Sequence, residues 1–334
     1  MRKINNFFKN KNILLTGGTG TFGQNFIQFL IDHTKPRKIV IYSRDEYKQF
    51  NLQEKFKKNS DIMRFLIGDV RDSDRLNFAT TDIDIILHAA ALKQVPAAEY
   101  NPLECVKTNI NGAENIIQAA IKNEVQHTIA LSTDKASSPI NLYGATKLVS
   151  DKIFVNANNM KGRRNCHFSV VRYGNVVDSR GSVIPFFKKL KDDKAKLFPV
   201  TDINMTRFVI SINQAVNFVT KCYLLMKGGE IFIPKIPSIR ITDLVKAIDK
   251  KAQIKIIGTR PGEKIHEEQI PYGLHKNVLE FKDYYLILPR TVEELSSSKI
   301  DYFGQTGKKV KDNFSYNSKE NKYLNINQIE QIIK

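Results

Sequence analysis

The sequence predicts an α/β fold, a doubly wound parallel sheet with a smaller C-terminal lobe. Short apolar runs alternate with amphipathic stretches through the first half of the 334 residues, as expected for successive strand–helix units. A glycine-rich segment at 16–23 joins the first apolar run to the first amphipathic stretch. After Tyr173 the alternation weakens, and glycine and proline punctuate shorter segments. A chain of this length accommodates one large domain and an appended lobe.

Each element of the first half follows from its hydrophobic period. Continuous apolar runs are typical of strands buried on both faces of a parallel sheet, and they occur at 13–15, 38–42, 63–67, 83–87 and 127–131. Helical periodicity occurs between and after these runs, at 22–31, 45–56, 102–122 and 143–158. The second half contributes helical patterns at 211–226 and 242–250.

We divide the chain into three parts on this basis. Residues 1–173 form the predicted sheet domain, to which some later chain is expected to return, and 174–295 form mainly the smaller lobe. Residues 296–334 are rich in Lys, Asn and Ser and predict a tail that is partly mobile.

Composition excludes several classes of protein. The three cysteines lack Cys-x-x-Cys spacing and the six histidines are scattered, so we predict neither a disulfide framework nor a metal site. No apolar run reaches membrane-spanning length, which favours a soluble cytoplasmic protein. A net charge of +18 raises nucleic acid as a partner, but the lysines are mixed with acids and no nucleic-acid-binding motif is present. An anionic cofactor and an anionic substrate explain the charge better.

The glycine-rich segment, TGGTGTFG, has the spacing of a dinucleotide-binding fingerprint. The first glycine permits a tight turn, the second lets a pyrophosphate approach the backbone, and the third permits close helix-to-strand packing. The following helix N-terminus supplies N–H donors and a positive dipole. An ordinary glycine-rich turn is disfavoured because a strand and a helix flank the segment. We predict a Rossmann-type cofactor site that includes Gly17, Thr19, Gly20, Thr21, Phe22 and Gly23.

The end of the second strand bears on which dinucleotide binds. A carboxylate there usually binds the ribose 2′-hydroxyl of NAD, whereas Ser43 and Arg44 suit the 2′-phosphate of NADP. NADP is therefore favoured over NAD, although Asp45 either caps the next helix or turns toward the ribose. Residues after the third and fourth strands complete the predicted cofactor site: Asp69, Val70, Ala89, Ala90, Ala91 and Lys93.

Tyr143 and Lys147 are four residues apart and share one face of a helix. The ammonium group and a cationic nicotinamide are expected to lower the pKa of Tyr143 from its ordinary value of about 10. We predict that both residues contact the cofactor and that Tyr143 is the base for oxidation of an alcohol. Asp134 and Lys135 add an acid and a base nearby, which suggests oxidation coupled to elimination. Both reach one substrate only if the chain turns there; otherwise they form a solvated turn pair.

These motifs resemble those of the extended short-chain dehydrogenase/reductases that modify nucleotide sugars. More narrowly, nearly the whole chain resembles the C5-inverting UDP-N-acetylglucosamine 4,6-dehydratases of pseudaminic acid biosynthesis. Asp134 and Lys135 stand where C5-retaining enzymes carry Asp-Glu, and Tyr143 stands where a related polysaccharide branch carries Met. Asp178 departs from the family, which has glycine there, a residue that favours positive φ. The resemblance lies in SRDE at 43–46, AAALKQVP at 89–96, LSTDK at 131–135, NLYGATK at 141–147, TRF at 206–208 and RPGEK at 260–264.

The resemblance implies a mechanism. Tyr143 takes the proton of the sugar 4-hydroxyl during oxidation by NADP, while Thr133 holds that hydroxyl and Lys147 tunes the phenol. Neutral Lys135 then removes the hydrogen on carbon 5, and Asp134 protonates the departing 6-hydroxyl. Hydride returns to carbon 6, and protonation of carbon 5 from the opposite face inverts that centre. Lys135 needs burial or the cofactor charge to lower its pKa.

The resemblance also implies UDP-N-acetylglucosamine as substrate, a homo-oligomer (dimer or hexamer) and a role in flagellin glycosylation. Two alternatives remain open, a nucleotide-sugar 4-epimerase and a catalytically silent NADP-binding regulator. Asp134 and Lys135 argue against the first, and the intact Tyr143 and Lys147 argue against the second. The predicted substrate contacts are Lys93, Thr133, Asn175, Arg180, Arg207, Arg260 and Glu263.

Overall fold

A parallel sheet built mainly by the first half of the chain forms the centre of the structure. The computed structural model describes residues 1–291, 301–302 and 304–333. The first six strands are β1 (Asn12–Thr16), β2 (Lys38–Ser43), β3 (Met63–Ile67), β4 (Ile85–His88), β5 (His127–Thr133) and β6 (His167–Tyr173). The helices of this half are α1 (Arg2–Phe8), α2 (Thr21–His33), α3 (Glu46–Lys55), α4 (Ser73–Ala79), α5 (Val95–Tyr100), α6 (Pro102–Val106), α7 (Gly112–Lys122) and α8 (Leu142–Met160).

The second half contributes strands to the main sheet and builds a smaller lobe. Its helices are α9 (Val183–Asp192), α10 (Ile212–Leu225), α11 (Ile241–Ile248) and α12 (Ile326–Ile333). The strands up to residue 270 are β7 (Asn175–Val176), β8 (Leu197–Val200), β9 (Thr206–Ile210), β10 (Ile231–Pro234), β11 (Ser238–Arg240), β12 (Gln253–Ile256) and β13 (Glu268–Ile270). The later strands are β14 (Val278–Glu280), β15 (Tyr284–Ile287), β16 (Asp301–Tyr302), β17 (Gln305–Thr306), β18 (Lys308–Lys309) and β19 (Tyr316–Asn317).

The strand order of the main sheet is β18-β14-β15-β10-β6-β5-β4-β1-β2-β3. Every pairing from β3 to β10 is parallel, and β15, β14 and β18 then add antiparallel pairings at one edge. Helices α1, α2 and α10 pack together on one side, whereas α4, α7 and α8 pack together on the other. This arrangement confirms the predicted doubly wound α/β fold. The central strands are apolar throughout because helices cover both faces of the sheet.

Two hydrophobic clusters correspond to the sheet and the smaller lobe. The larger cluster contains the fully buried β1 residues Ile13, Leu14 and Leu15. The smaller cluster is centred on side chains such as Phe198 and Leu244, between α9, α11, α12 and the short strands β8 and β9. Strands β10, β14 and β15 return to the main sheet after the chain has entered the lobe. The exact division of the chain at residue 173 stays a prediction.

The C-terminal segment packs more extensively than its polar composition suggested. Strand β19 pairs with β13, and α12 contacts α11. Ser318 is fully buried and shares a hydrogen bond of 2.7 Å with the Thr206 hydroxyl. Periodic apolar residues such as Ile329 and Ile333 complete the lobe core, so much of the described part of 296–334 is packed, and its predicted partial mobility stays a prediction. Residues 296–300, 303 and 334 of that range lie outside the described residues. Within the described residues, no helix is long and apolar enough to cross a membrane.

Candidate active site

A cleft of about 660 Å³ opens at the carboxyl ends of the parallel strands. In doubly wound sheets this edge is where ligands bind. Every residue predicted to bind the cofactor lines the cleft, as do Lys93, Thr133, Asn175 and Arg180 from the predicted substrate set. The fingerprint and the acid–base residues therefore share one site.

The glycine-rich turn has a shape that only glycine allows. Gly17 has φ of +68°, and a Cβ there would lie 2.9 Å from the backbone of Ala89 and Ala90. At Gly23, a Cβ would lie 2.5 Å from the Gly18 Cα atom, so α2 packs directly on the turn. The turn thus leaves backbone space beside the N-terminus of α2, which fits the pyrophosphate of a dinucleotide.

The other end of the cleft carries positive charge beside the ribose position. Asp45 accepts a hydrogen bond of 2.9 Å from the Lys48 backbone N–H and caps α3, which decides its role as a helix cap. Arg44 is half exposed, with its Nη1 atom 3.5 Å from the Asp69 carboxylate. That carboxylate also accepts hydrogen bonds of 2.9 and 2.6 Å from Arg71. Arg44 and Arg71 therefore neutralise the Asp69 carboxylate. The Asp45 carboxylate binds the backbone at the start of α3.

Tyr143 and Lys147 lie on the first turns of α8, whose N-terminus is capped by Asn141. The Asn141 side chain accepts a hydrogen bond of 2.8 Å from the Gly144 N–H. Both residues are buried, and Lys147 Nζ donates a hydrogen bond of 2.7 Å to the Leu131 carbonyl. Burial raises the pKa of Tyr143 to about 12, although the Lys135 charge opposes the rise. The protein groups alone thus raise the pKa of Tyr143, and the lowering expected beside a cationic nicotinamide stays a prediction.

Asp134 and Lys135 occupy a tight turn immediately after β5. Residues Asp134–Ala136 form a 3-10 turn that begins at Thr133, whose hydroxyl accepts a hydrogen bond of 3.3 Å from the Lys135 N–H. The turn removes the strand alternation that would have pointed the two side chains apart. Lys135 lines the cleft, and fully buried Asp134 lies behind it. The sequence-based condition that the chain turns here is met.

Gly144 allows this turn to lie against α8. A Cβ at Gly144 would lie 2.2 Å from the Lys135 carbonyl oxygen. The residue after Tyr143 therefore has no side chain because the Lys135 backbone occupies that space. This contact fixes Lys135 beside the tyrosine.

Glu267 is a site residue that the sequence did not reveal. Lys135 Nζ lies 3.0 Å from Asp134 Oδ1 and 3.1 Å from Glu267 Oε1. Glu267 is only 2% exposed, and it lies in a loop far along the chain, just before β13. The RPGEK segment at 260–264 lies close to Glu267 in the sequence, but it does not indicate that Glu267 contacts Lys135.

The charges around Lys135 determine its protonation. Burial lowers the pKa of Lys135, but the carboxylates of Asp134 and Glu267 more than compensate and raise it above its ordinary value. With these carboxylates beside it, burial therefore gives no net lowering of the pKa of Lys135, and lowering by the cofactor charge stays a prediction. Burial raises the pKa of Asp134 despite the Lys135 charge. For Glu267, the effect of burial is exceeded by Lys135 and Arg207, and its pKa is lowered.

Three residues predicted to bind substrate form a separate charged cluster. Arg207 is buried, with Nη2 3.6 Å from Glu263 Oε1 and Nε 3.8 Å from Glu267 Oε1. Arg260 is largely exposed and lies 4.0 Å from Glu263. Arg207, Arg260 and Glu263 do not line the cleft. The guanidinium group of Arg207 is not free to bind a diphosphate, because the carboxylates of Glu263 and Glu267 already lie beside it.

The loop after β7 covers the cleft from the smaller lobe. The Arg180 N–H donates a hydrogen bond of 3.5 Å to the Thr21 hydroxyl on α2. Asp178 has φ of +56°, which agrees with a position where the family carries glycine. Its exposed carboxylate accepts a hydrogen bond of 2.9 Å from Lys188. The charge of Asp178 is therefore paired outside the cleft.

A family model described as polysaccharide biosynthesis protein matches residues 13–289. The chain belongs to this family. Among its relatives, a UDP-N-acetylglucosamine 4,6-dehydratase (inverting) from Campylobacter jejuni is 55% identical over 94% of this chain and 94% of its own length. A UDP-glucose 4-epimerase from Rickettsia conorii is 37% identical over 98% of this chain and 96% of its own length. These relatives confirm the resemblance to enzymes that act on nucleotide sugars.

Solved structures show the same architecture. Pen from Bacillus thuringiensis has 36% sequence identity and a TM-score of 0.87, and the match covers 98% of this chain and 99% of that protein. DesIV, a dTDP-glucose 4,6-dehydratase from Streptomyces venezuelae solved with NAD and TYD, has 19% identity and a TM-score of 0.68 over 76% of this chain and 86% of its own. The comparison with DesIV supports only the fold of this chain.

Proposed function

We propose that the chain is a C5-inverting UDP-N-acetylglucosamine 4,6-dehydratase that uses NADP. The product is UDP-2-acetamido-2,6-dideoxy-β-L-arabino-hex-4-ulose. The observation that carries the proposal is the tight turn that holds Lys135 beside Tyr143 at the wall of the cleft, with Asp134 buried directly behind it. The same cleft contains the dinucleotide fingerprint. The 55% identical dehydratase from Campylobacter jejuni supports the same activity.

The cleft has the groups needed to hold NADP. Gly17 and Gly20 leave space for the pyrophosphate, while Ser43 and Arg44 suit a 2′-phosphate. The use of Asp45 as a helix cap supports NADP over NAD, because its carboxylate is bound to the helix N–H. A dinucleotide held by these residues would supply a hydride acceptor for oxidation at carbon 4 of the sugar and a hydride donor for carbon 6.

Tyr143 and Thr133 prepare the 4-hydroxyl for oxidation. Thr133 ends β5 at the cleft wall and Tyr143 begins α8 beside it, so the hydroxyl can contact both side chains. Tyr143 removes the hydroxyl proton in this step. Because burial raises the pKa of Tyr143, this proton transfer relies on the positive charge that a bound nicotinamide would add beside the phenol. Lys147 lines the cleft next to Tyr143, and its hydrogen bond to the Leu131 carbonyl links α8 to β5.

Asp134 and Lys135 carry the elimination. Oxidation at carbon 4 acidifies the hydrogen on carbon 5, and the amine of Lys135 removes it. Asp134 then protonates the leaving 6-hydroxyl, a role that suits a carboxyl group whose pKa is raised by burial. The later protonation of carbon 5 from the opposite face inverts that centre.

The remaining biological assignments rest on the family resemblance. We propose a role in pseudaminic acid biosynthesis and flagellin glycosylation, in the cytoplasm, as a homo-oligomer. Asn175 and Arg180 at the cleft are the proposed contacts to the UDP diphosphate. Arg207, Arg260 and Glu263 support the site from the neighbouring cluster.

The experiment compares the wild-type protein with Asp134→Asn and Lys135→Met in single turnovers of UDP-N-acetylglucosamine. Wild type should yield a 4-keto-6-deoxy sugar. Both variants should still reduce the cofactor during oxidation at carbon 4, while water loss slows by roughly 10²–10⁴-fold. A wild-type enzyme that only interconverts 4-epimers would contradict the proposal and favour the epimerase named among the relatives. Tightly bound cofactor without turnover would favour the silent regulator.

A further inference from the structure

The buried side of the Lys135 amine faces the carboxylate of Glu267, which has no role in the proposed dehydratase mechanism. Lys135 is a base only after losing a proton, yet its Nζ atom lies between Asp134 Oδ1 at 3.0 Å and Glu267 Oε1 at 3.1 Å. Two such carboxylates stabilise the ammonium form. The proton that leaves Lys135 therefore needs a defined acceptor close to the nitrogen.

We propose that Glu267 takes this proton from the Lys135 ammonium and so frees the amine to act at carbon 5. The inference deepens the proposed dehydratase function and rests on it. One N–H bond of Lys135 breaks, one O–H bond of Glu267 forms, and an ion pair becomes a neutral pair with no change in total charge. Glu267 acts through Lys135 and is a positioning residue for its proton.

The acid role proposed for Asp134 leaves Glu267 as the acceptor, since both carboxylates lie at similar distances from the Lys135 amine. Asp134 is needed as an acid for the leaving hydroxyl, and a protonated carboxyl group cannot also take the Lys135 proton. Glu267 Oε2 and Asp134 Oδ2 are both buried without a hydrogen-bond partner among the described residues, so each carboxylate has an oxygen that could take a proton, and the acid role of Asp134 decides between them. Glu267 is 2% exposed while the Lys135 side chain is 24% exposed. The amine therefore faces the cleft, and Glu267 lies on its protected side.

Glu267 is fixed in position by neighbours on several elements. Its backbone N–H donates a hydrogen bond of 2.8 Å to the Ser318 hydroxyl, and its carbonyl accepts one of 2.7 Å from the Ser318 N–H. Arg207 lies 3.8 Å from Glu267 Oε1. These contacts hold the carboxylate at hydrogen-bond distance from Lys135 without a contribution from the substrate.

Closure of the cleft supplies the driving force. Before substrate binds, the charged form of the pair is favoured by the remaining solvent and by Arg207. A sugar nucleotide that covers the exposed part of Lys135 removes this solvent, and a neutral pair then costs less than two buried charges. The amine becomes basic at the moment when its substrate is in place.

The test compares Glu267→Gln with wild type, and Glu268→Gln is the matched control. Glu268 is the adjacent residue, and its carboxylate binds the Ser138 hydroxyl instead of Lys135. The rate of water elimination at saturating substrate is measured from pH 6 to 9, with thermal unfolding as a check of folding. The groups facing the pair that also titrate or carry charge are Asp134, Tyr143, Arg207, Glu263 and Lys264. The ratio of variant to wild-type rate cancels their common contributions.

We expect Glu267→Gln to slow elimination by roughly 10²–10⁴-fold near pH 7. Its rate relative to wild type should then rise about tenfold per pH unit, because its Lys135 proton must leave to solvent. The wild-type pair transfers the proton internally, so Glu268→Gln should match wild type at every pH. An unchanged rate in Glu267→Gln, or a loss that is the same at every pH, would overturn the proposal in favour of a structural role.

A second variant covers the case in which Glu267→Gln does not fold. Glu267→Asp keeps a carboxylate, so its rate should fall while its ratio to wild type stays flat with pH. A ratio that rises with pH in Glu267→Asp also overturns the proposal. Wild-type protein that does not dehydrate the sugar at all contradicts the proposed function itself, which separates the two failures.

Discussion

Substitution of Gly144 by alanine probes the contact that places Lys135 beside Tyr143. The new Cβ would lie 2.2 Å from the Lys135 carbonyl oxygen, so the turn and α8 must separate by roughly 1 Å to reach an ordinary contact. Overpacking of this kind costs about 1–3 kcal/mol, and alanine in a helix returns about 0.5–1 kcal/mol. We expect a net loss of unfolding free energy of about 1–2 kcal/mol. A misplacement of about 1 Å at a reacting group reduces the rate about 10²-fold.

The matched control is Gly162→Ala, just beyond the end of α8. Gly162 has φ of +60° and no atom lies within 4 Å of its built Cβ, so alanine there costs about 1–2 kcal/mol through backbone strain alone. Chemical denaturation should show similar losses of stability in the two variants. The turnover number should fall only in Gly144→Ala. Equal turnover in both variants would refute the link between this backbone contact and the placement of Lys135.

Three further predictions concern stability and cofactor choice. Asp151→Ala leaves Arg172 buried without its ion-pair partner at 2.9 Å and should destabilise by about 3–5 kcal/mol in denaturation, whereas Glu54→Ala in an exposed pair should cost less than about 1 kcal/mol; equal costs would contradict this. Burial lowers the pKa of His127 from 6.5 to about 4, so the folded state binds fewer protons than the unfolded chain in this range. This group should contribute a stability loss of about 3 kcal/mol as the pH drops from 6.5 to 4. His127→Phe should lose that share, while His88, whose pKa burial also lowers, keeps its own. Arg44→Ala should weaken NADP binding about 10–100-fold in calorimetry and leave NAD binding unchanged; equal weakening would argue against NADP.

The sheet domain could be predicted because its signals are local. Apolar runs such as 13–15 and 127–131 define β1 and β5, and the glycine spacing identifies the turn between β1 and α2. The predicted helix at 102–122 is divided in the structure into α6, a π-helical turn at Lys107–Asn111, and α7. Hydrophobic period marks which face is buried, but it does not record the extra residue that a π turn inserts.

The protonation of the site could not be predicted because it depends on contacts between distant segments. The contact between Lys135 and Glu267 joins the turn after β5 to the loop before β13, a strand that itself pairs with the distant β19. The sequence around a single glutamate before a short strand does not indicate that its side chain is buried. Burial raises the pKa of Tyr143, while Asp134 and Glu267 outweigh burial and raise the pKa of Lys135. The lowering expected from a cationic cofactor stays a prediction. Arg207 was assigned to the substrate from residue type alone, whereas its partners are carboxylates.

Proton NMR of the product formed from UDP-N-acetylglucosamine in deuterated water tests the central claim most directly. Removal of the hydrogen on carbon 5 by Lys135, followed by return of a solvent proton to the opposite face, predicts a 4-keto-6-deoxy sugar with deuterium at carbon 5 and inverted coupling. Retained configuration at carbon 5 would contradict the inverting assignment. A 4-epimer without dehydration would contradict the roles of Asp134 and Lys135 themselves.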